Sequence, residues 1–130
     1  MLPGHPVLRV FIADDSALIC SRVAAQLGDF ACTVTGCAST PQACIAAILA
    51  QRPDVVVLDV QLEGGSGLEV LQAVRAVLPS VAFVVFSNSS GPAYRKRYLA
   101  QGATSFLDKC ADFEQLPCAV RAASTRAAAR

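Results

Sequence analysis

No stretch of this 130-residue chain approaches the roughly 20 consecutive apolar residues that a membrane-crossing helix needs, so it is expected to be a soluble protein. Its start, MLPGHPVLRV, lacks a basic segment leading into a long apolar one, which argues against secretion and for a cytoplasmic address. There is a single histidine, His5, in a Pro- and Gly-rich leader expected to be flexible over residues 1–7, so histidine chemistry has little to draw on. Charged residues make up only 16% and the net charge is +1, which gives no field for nucleic acid. None of the six cysteines falls in a CxxC pair, and the chain is too long and too rich in core for a disulfide scaffold. They are read as small packed thiols, with Cys32 and Cys37 the one pair that could meet across a loop.

What is present is apolar: 54% of the residues, enough for one core and one domain, expected over 8–126 with a tail or linker at 127–130. Apolar runs too short for helices alternate with stretches of helical period. The runs predict strands at 8–13, 32–36, 55–58, 82–86 and 105–107, and helices at 17–27, 41–51, 67–77, 92–100 and 113–126. Thr40 before Pro41 reads as a helix start, Gly28 and Gly102 as exits, Pro53 and Pro79 as stops, and Asp112 as the cap of the last helix. Five such pairs imply an α/β protein, a three-layer α/β/α sandwich around a doubly wound five-stranded parallel sheet. The run VVVL, apolar on both sides, suits a strand covered on both faces.

Ligands of such sheets bind beyond the carboxyl ends of the strands. The residues just past those ends are Asp14 and Asp15, then Asp59, then Ser87 and Asn88, then Asp108 and Lys109, whereas the second strand offers only Cys37 and Ala38. Converging carboxylates repel, and a hard divalent cation such as Mg²⁺, which prefers oxygen ligands and commonly shares them with phosphate, removes the conflict. Lys109 and Ser87 suit phosphate oxygens. A carboxylate can accept a phosphoryl group as an acyl phosphate, and Asp59, on the central strand before a flexible EGGSG loop, is the candidate.

With these residues in view, the sequence resembles the receiver domain of two-component response regulators, in the manner of the chemotaxis regulators, from about Leu8 to Arg121. FIADDS matches the acidic pair, VVVLDVQLEGGSGLEVL the phosphoacceptor strand, VVFSNSS the hydroxyl position and GATSFLDK the lysine strand. The intervals are 44 residues from Asp15 to Asp59, 28 on to Ser87 and 22 more to Lys109. The resemblance implies a flavodoxin-like strand order, 2-1-3-4-5. It implies that Asp59 takes a phosphoryl group from a histidine kinase or histidine phosphotransfer protein. Asp15 would bind Mg²⁺ directly, Asp14 largely through water and Gln61 through its carbonyl, while Ser87, with Asn88 beside it, and Lys109 would hold the phosphoryl oxygens. Phe106 would turn inward as Ser87 moves, altering the face made by the fourth helix, fifth strand and fifth helix. On that face YRKRY, with Tyr94, Arg95, Arg97 and Tyr98, could dock an acidic downstream partner, an output domain or a second copy. Neither direct nucleic-acid binding nor a membrane partner is implied.

Two positions depart from the family. Cys110 follows the lysine where a cis-proline is usual, so a trans bond and a rearranged loop are expected. Asn88 stands where a small residue is usual. The chain could equally be a module of a larger DNA-binding regulator or hybrid kinase. A flavodoxin-like redox protein would want a phosphate-cradling Ser/Thr/Gly loop where DDSAL stands, and an aspartate phosphatase a second acid at Gln61.

Overall fold

The structure, a computed structural model, describes residues 7–128. The leader apart from Val7, with His5, and the last two residues of the tail lie outside the described residues. The elements run β1 (Leu8–Ala13), α1 (Ala17–Gly28), β2 (Cys32–Ala38), α2 (Pro41–Gln51), β3 (Val55–Leu58), α3 (Gly67–Val77), β4 (Ala82–Ser87), α4 (Pro92–Ala100), β5 (Ser105–Asp108) and α5 (Leu116–Ala128). The five strands pair in parallel in the order β2-β1-β3-β4-β5, as expected.

The period of two along each strand divides the core. Val10, Ile12, Val55, Val57, Val84 and Phe86 face the side covered by Val23 and Leu27 of α1 and Leu116 and Val120 of α5. Their neighbours Phe11, Ala13, Val56, Leu58, Phe83 and Val85 face Ile48 of α2, Leu71 and Val74 of α3, and Tyr98 of α4. Each buried Val, Leu or Phe contributes about 1.5–3 kcal/mol, so a strand that is apolar at every position is stable only between two helical layers.

Helix starts follow the sequence signals. Thr40 Oγ1 accepts from Ala43 N at 3.2 Å, and Ser66 and Glu69 form a capping box at α3. Gly102, at φ 108°, takes the left-handed turn after α4 that a side chain would resist.

Three expectations are corrected. The EGGSG loop is a tight antiparallel ribbon of Gln61–Leu62 against Gly65–Ser66, turned by Gly64 at φ 77°. The last helix opens with a 3₁₀ turn, Phe113–Gln115, before α5, and Asp112 makes no side-chain cap there because its carboxylate is taken by Asp108 N at 2.9 Å. Cys32 and Cys37 sit at opposite ends of β2 and cannot meet; all six thiols are free.

Candidate functional site

The loops after β1, β3, β4 and β5 converge at the carboxyl edge of the sheet. Parallel pairing fixes this: Ala13 stands beside Leu58, Leu58 beside Val85, and Ser87 beside Asp108, so the residues that follow share one rim. Asp59 N donates to Ala13 O at 2.9 Å and Lys109 N to Ser87 O at 3.2 Å, extending the ladder into the site.

Asp14, Asp59 and Ser87 are the three buried polar side chains among the described residues. Lys109 Nζ lies 2.8 Å from Asp14 Oδ2 and 2.9 Å from Asp59 Oδ2. The other oxygen of Asp59 accepts from Ser87 Oγ at 2.6 Å and, more loosely, from Gln61 N at 3.4 Å. Asp14 Oδ1 accepts from Ser16 N at 2.9 Å, while Ser16 Oγ caps α1 through Ile19 N. Asp15 is exposed, yet one of its oxygens lies within 4.8 Å of one from each of Asp14 and Asp59.

Burial raises the Asp14 carboxyl above its ordinary value despite the hydrogen bonds from Lys109 and Ser16. For Lys109 burial works to lower the pKa, but the hydrogen bonds and charges of Asp14 and Asp59 outweigh it and the ammonium is held above its ordinary value. The pocket therefore carries a fixed positive centre beside a surplus of carboxylate. Three carboxylate oxygens at this spacing suit a hard cation, whose octahedral ligands lie at about 2.0–2.1 Å for Mg²⁺ and so about 4 Å apart across the ion.

The other sequence candidates are distributed as follows. Asn88 is exposed beside Ser87, with its Oδ1 3.9 Å from Cys110 Sγ. Phe106 is already inward, 2% exposed, its ring edge-on to Tyr98 at 6.0 Å between centroids. Tyr94 and Arg97 are exposed on α4 and border a cleft with Gln61, Ser66 and Leu68. Arg95 is exposed too, but its guanidinium donates to Phe106 O at 2.9 Å, tying α4 to β5. Tyr98 leaves the expected surface: at 2% exposure it is the residue through which this helix enters the core, its hydroxyl 3.5 Å from Val60 O.

The Lys109–Cys110 bond is trans, as expected. Sequence reasoning placed Asp108 at the rim but gave it no part. Its Oδ1 accepts from Cys110 N at 2.8 Å and Ala111 N at 2.9 Å, and its Oδ2 from Ser90 Oγ at 2.5 Å. The signal was an Asp opening a turn, where such side chains bond the backbone two residues on. Gly67 was missed as well: a Cβ there would lie 2.1 Å from Asp59 O.

Residues 10–121 match the family model of the response regulator receiver domain, and the chain belongs to that family. It is 27% identical over 116 residues to the response regulator GacA of Pseudomonas aeruginosa, covering 88% of this chain and 54% of GacA. It is 32% identical over 119 residues to the transcriptional regulatory protein TcrX of Mycobacterium tuberculosis, covering 92% and 50%. The signal receiver domain of NarL from Mycobacterium tuberculosis superposes with a TM-score of 0.85 at 31% identity, over 93% of this chain and 98% of that one. The chain thus spans about half the length of these two regulators, and its class is the receiver domain of two-component signalling. No helix among the described residues is long and apolar enough to cross a membrane.

Proposed function

We propose that this chain is a phosphoacceptor. An Asp59 carboxylate oxygen attacks the phosphorus of a phosphohistidine on a histidine kinase or phosphotransfer protein; the P–N bond breaks, and its electron pair returns to the imidazole. The observation that carries this reading is the division of labour on one buried carboxylate, with an ammonium at 2.9 Å on one oxygen and a hydroxyl at 2.6 Å on the other. Both donors can pass to phosphoryl oxygens, so the charge that develops meets groups already in place. Asp14, Asp15, Asp59 and the Gln61 carbonyl would hold Mg²⁺, which supplies neutralisation of the phosphoryl charge. The chain catalyses no reaction beyond the loading and loss of its own phosphate.

A phosphoryl group adds about −1.5 to −2 charge. Drawing Ser87 and Lys109 toward it biases the inward position of Phe106 and, through Arg95 and Tyr98, the set of α4. The face of α4, β5 and α5, with Tyr94 and Arg97 outermost, is the surface a downstream protein, an output domain or a second copy would read. The domain is taken as residues 8–126, in the cytoplasm. A second reading, a receiver module within a longer regulator, is favoured by the lengths of GacA and TcrX relative to this chain.

Incubation with a small phosphodonor and Mg²⁺ followed by intact mass should add one phosphoryl group to the wild type and none to Asp59→Asn. Unchanged wild-type mass overturns the proposal, as does an equal gain in the variant.

A further inference from the structure

The lysine that bridges Asp14 and Asp59 follows directly on β5, and its side chain reaches the pocket only if the chain beyond it turns away sharply. The proline that the family resemblance leads one to expect after the lysine is absent: the bond is trans and the next residue is Cys110. Some other constraint must fix the loop, and it has to act on the backbone, since Cys110 and Ala111 are exposed and pack on little.

Asp108 has the required geometry. Its Oδ1 gathers the N–H groups of Cys110 and Ala111, the two residues after the lysine, at 2.8 and 2.9 Å. Its own N–H is held by Asp112 Oδ2 at 2.9 Å, and its carbonyl accepts from Asp112 N at 2.9 Å, which closes the turn from the other side. Oδ2 accepts from Ser90 Oγ at 2.5 Å, and Ser90 belongs to the loop that follows Ser87, the last residue of β4. The bonds to Asp108 therefore join the lysine loop to the hydroxyl loop, the two segments whose donors converge on Asp59. Accepting these three bonds also holds the Asp108 carboxyl below its ordinary value, the Ser90 hydroxyl being the largest cause. Asp108 touches none of the reacting atoms.

We infer that Asp108 is a positioning residue: its carboxylate replaces the missing proline as the constraint that places Lys109 Nζ between Asp14 and Asp59 and keeps the Lys109 and Ser87 loops in register. Its effect on phosphorylation rests on the function proposed above; its effect on the lysine does not.

The chain has two lysines, Lys96 and Lys109, so protein labelled with ¹³C and ¹⁵N in lysine alone gives two sets of side-chain signals. In resting protein, without phosphodonor or Mg²⁺, the Lys109 signals should be displaced from those of exposed Lys96. In Asp108→Ala they should move toward Lys96, and the rate of phosphorylation by a small phosphodonor should fall about tenfold or more, since a small misplacement of a reacting group costs that much. Asp108→Asn, which keeps the oxygen that holds Cys110 N and Ala111 N, should restore both readouts to within about threefold of wild type, as expected when geometry and not charge is at stake. Ser90→Ala, which removes one bond at the surface, should give a smaller shift of the same signals and serves if Asp108→Ala fails to fold. Lys109 signals unchanged in folded Asp108→Ala, or Asp108→Asn no better than alanine, overturn the inference. An unphosphorylated wild type with the lysine shift present would sink the phosphoacceptor reading and leave the positioning claim standing.

Discussion

Asp14 has three surroundings that pull in different directions: a nearly dry site, a lysine at 2.8 Å and a second carboxylate across that lysine. Burial prevails, and its carboxyl holds a proton more tightly in the folded chain than at its ordinary 3.8. Where the folded state binds more protons than the unfolded one, stability falls as pH rises. The ionised group therefore costs stability above its raised value, and that cost is gone below 3.8, where both states are neutral. Asp14→Asn should raise the thermal midpoint at neutral pH, and the gain should shrink as pH is lowered toward 3.8, which melts at a series of pH values would check. A lower midpoint at neutral pH would mean that the Lys109 bond outweighs burial. The thiols make a simpler case. Burial pushes Cys44, a residue of α2 closed inside the core, up to about 11, so it stays protonated and contributes packing rather than chemistry, whereas Cys37, Cys110 and Cys118 are exposed and not packed as the sequence suggested.

At the scale of elements, α3 begins almost against the strand that carries Asp59. Gly67 N donates to Val60 O at 2.8 Å, and the space where a Cβ would sit is filled by the backbone oxygen of Asp59 and the Leu58 side chain. Backbone cannot yield as a side-chain end does. Gly67→Ala should cost about 1–3 kcal/mol or more in urea melts, and because it pushes on Asp59 itself it should also slow phosphorylation. Strand positions and strand tips were legible in the sequence because a sheet covered on both faces writes its strands as short, mostly apolar runs, and a polar residue at a run's end stands out; the strand order came from the family resemblance alone. The ribbon after Asp59 was not, since a two-residue pairing leaves no period to read and its glycines look like slack. Nor was the burial of Tyr98: YRKRYLA shows no apolar stripe, and α4 is held by this one side chain, a ring against Phe106 and the Arg95 bond to β5. The lysine loop was legible only as a missing proline, because what replaces it is a web of backbone bonds to Asp108 and Asp112.

For the whole molecule, the acid cluster is a built-in cost that a bound cation would relieve. An ion bound only by the folded chain adds stability by mass action, about 2.7 kcal/mol at one hundred times its Kd. Mg²⁺ should therefore raise the melting midpoint in a concentration-dependent way, chelation should reverse the rise, and Asp59→Asn should weaken it. A midpoint indifferent to Mg²⁺ at tens of times any physiological level would count against the three carboxylates as ligands.

The order in which the pocket's members occur along the chain has one further consequence. Asp14, Asp15 and Asp59 precede Lys109, which pairs with Asp14 and Asp59 and follows the last strand. A nascent polypeptide on the ribosome that has completed β4 carries Ser87, which bonds Asp59, but lacks the ammonium that sits between Asp14 and Asp59. The clasp on these two carboxylates therefore waits for the residue that follows the final strand, when the domain is nearly whole.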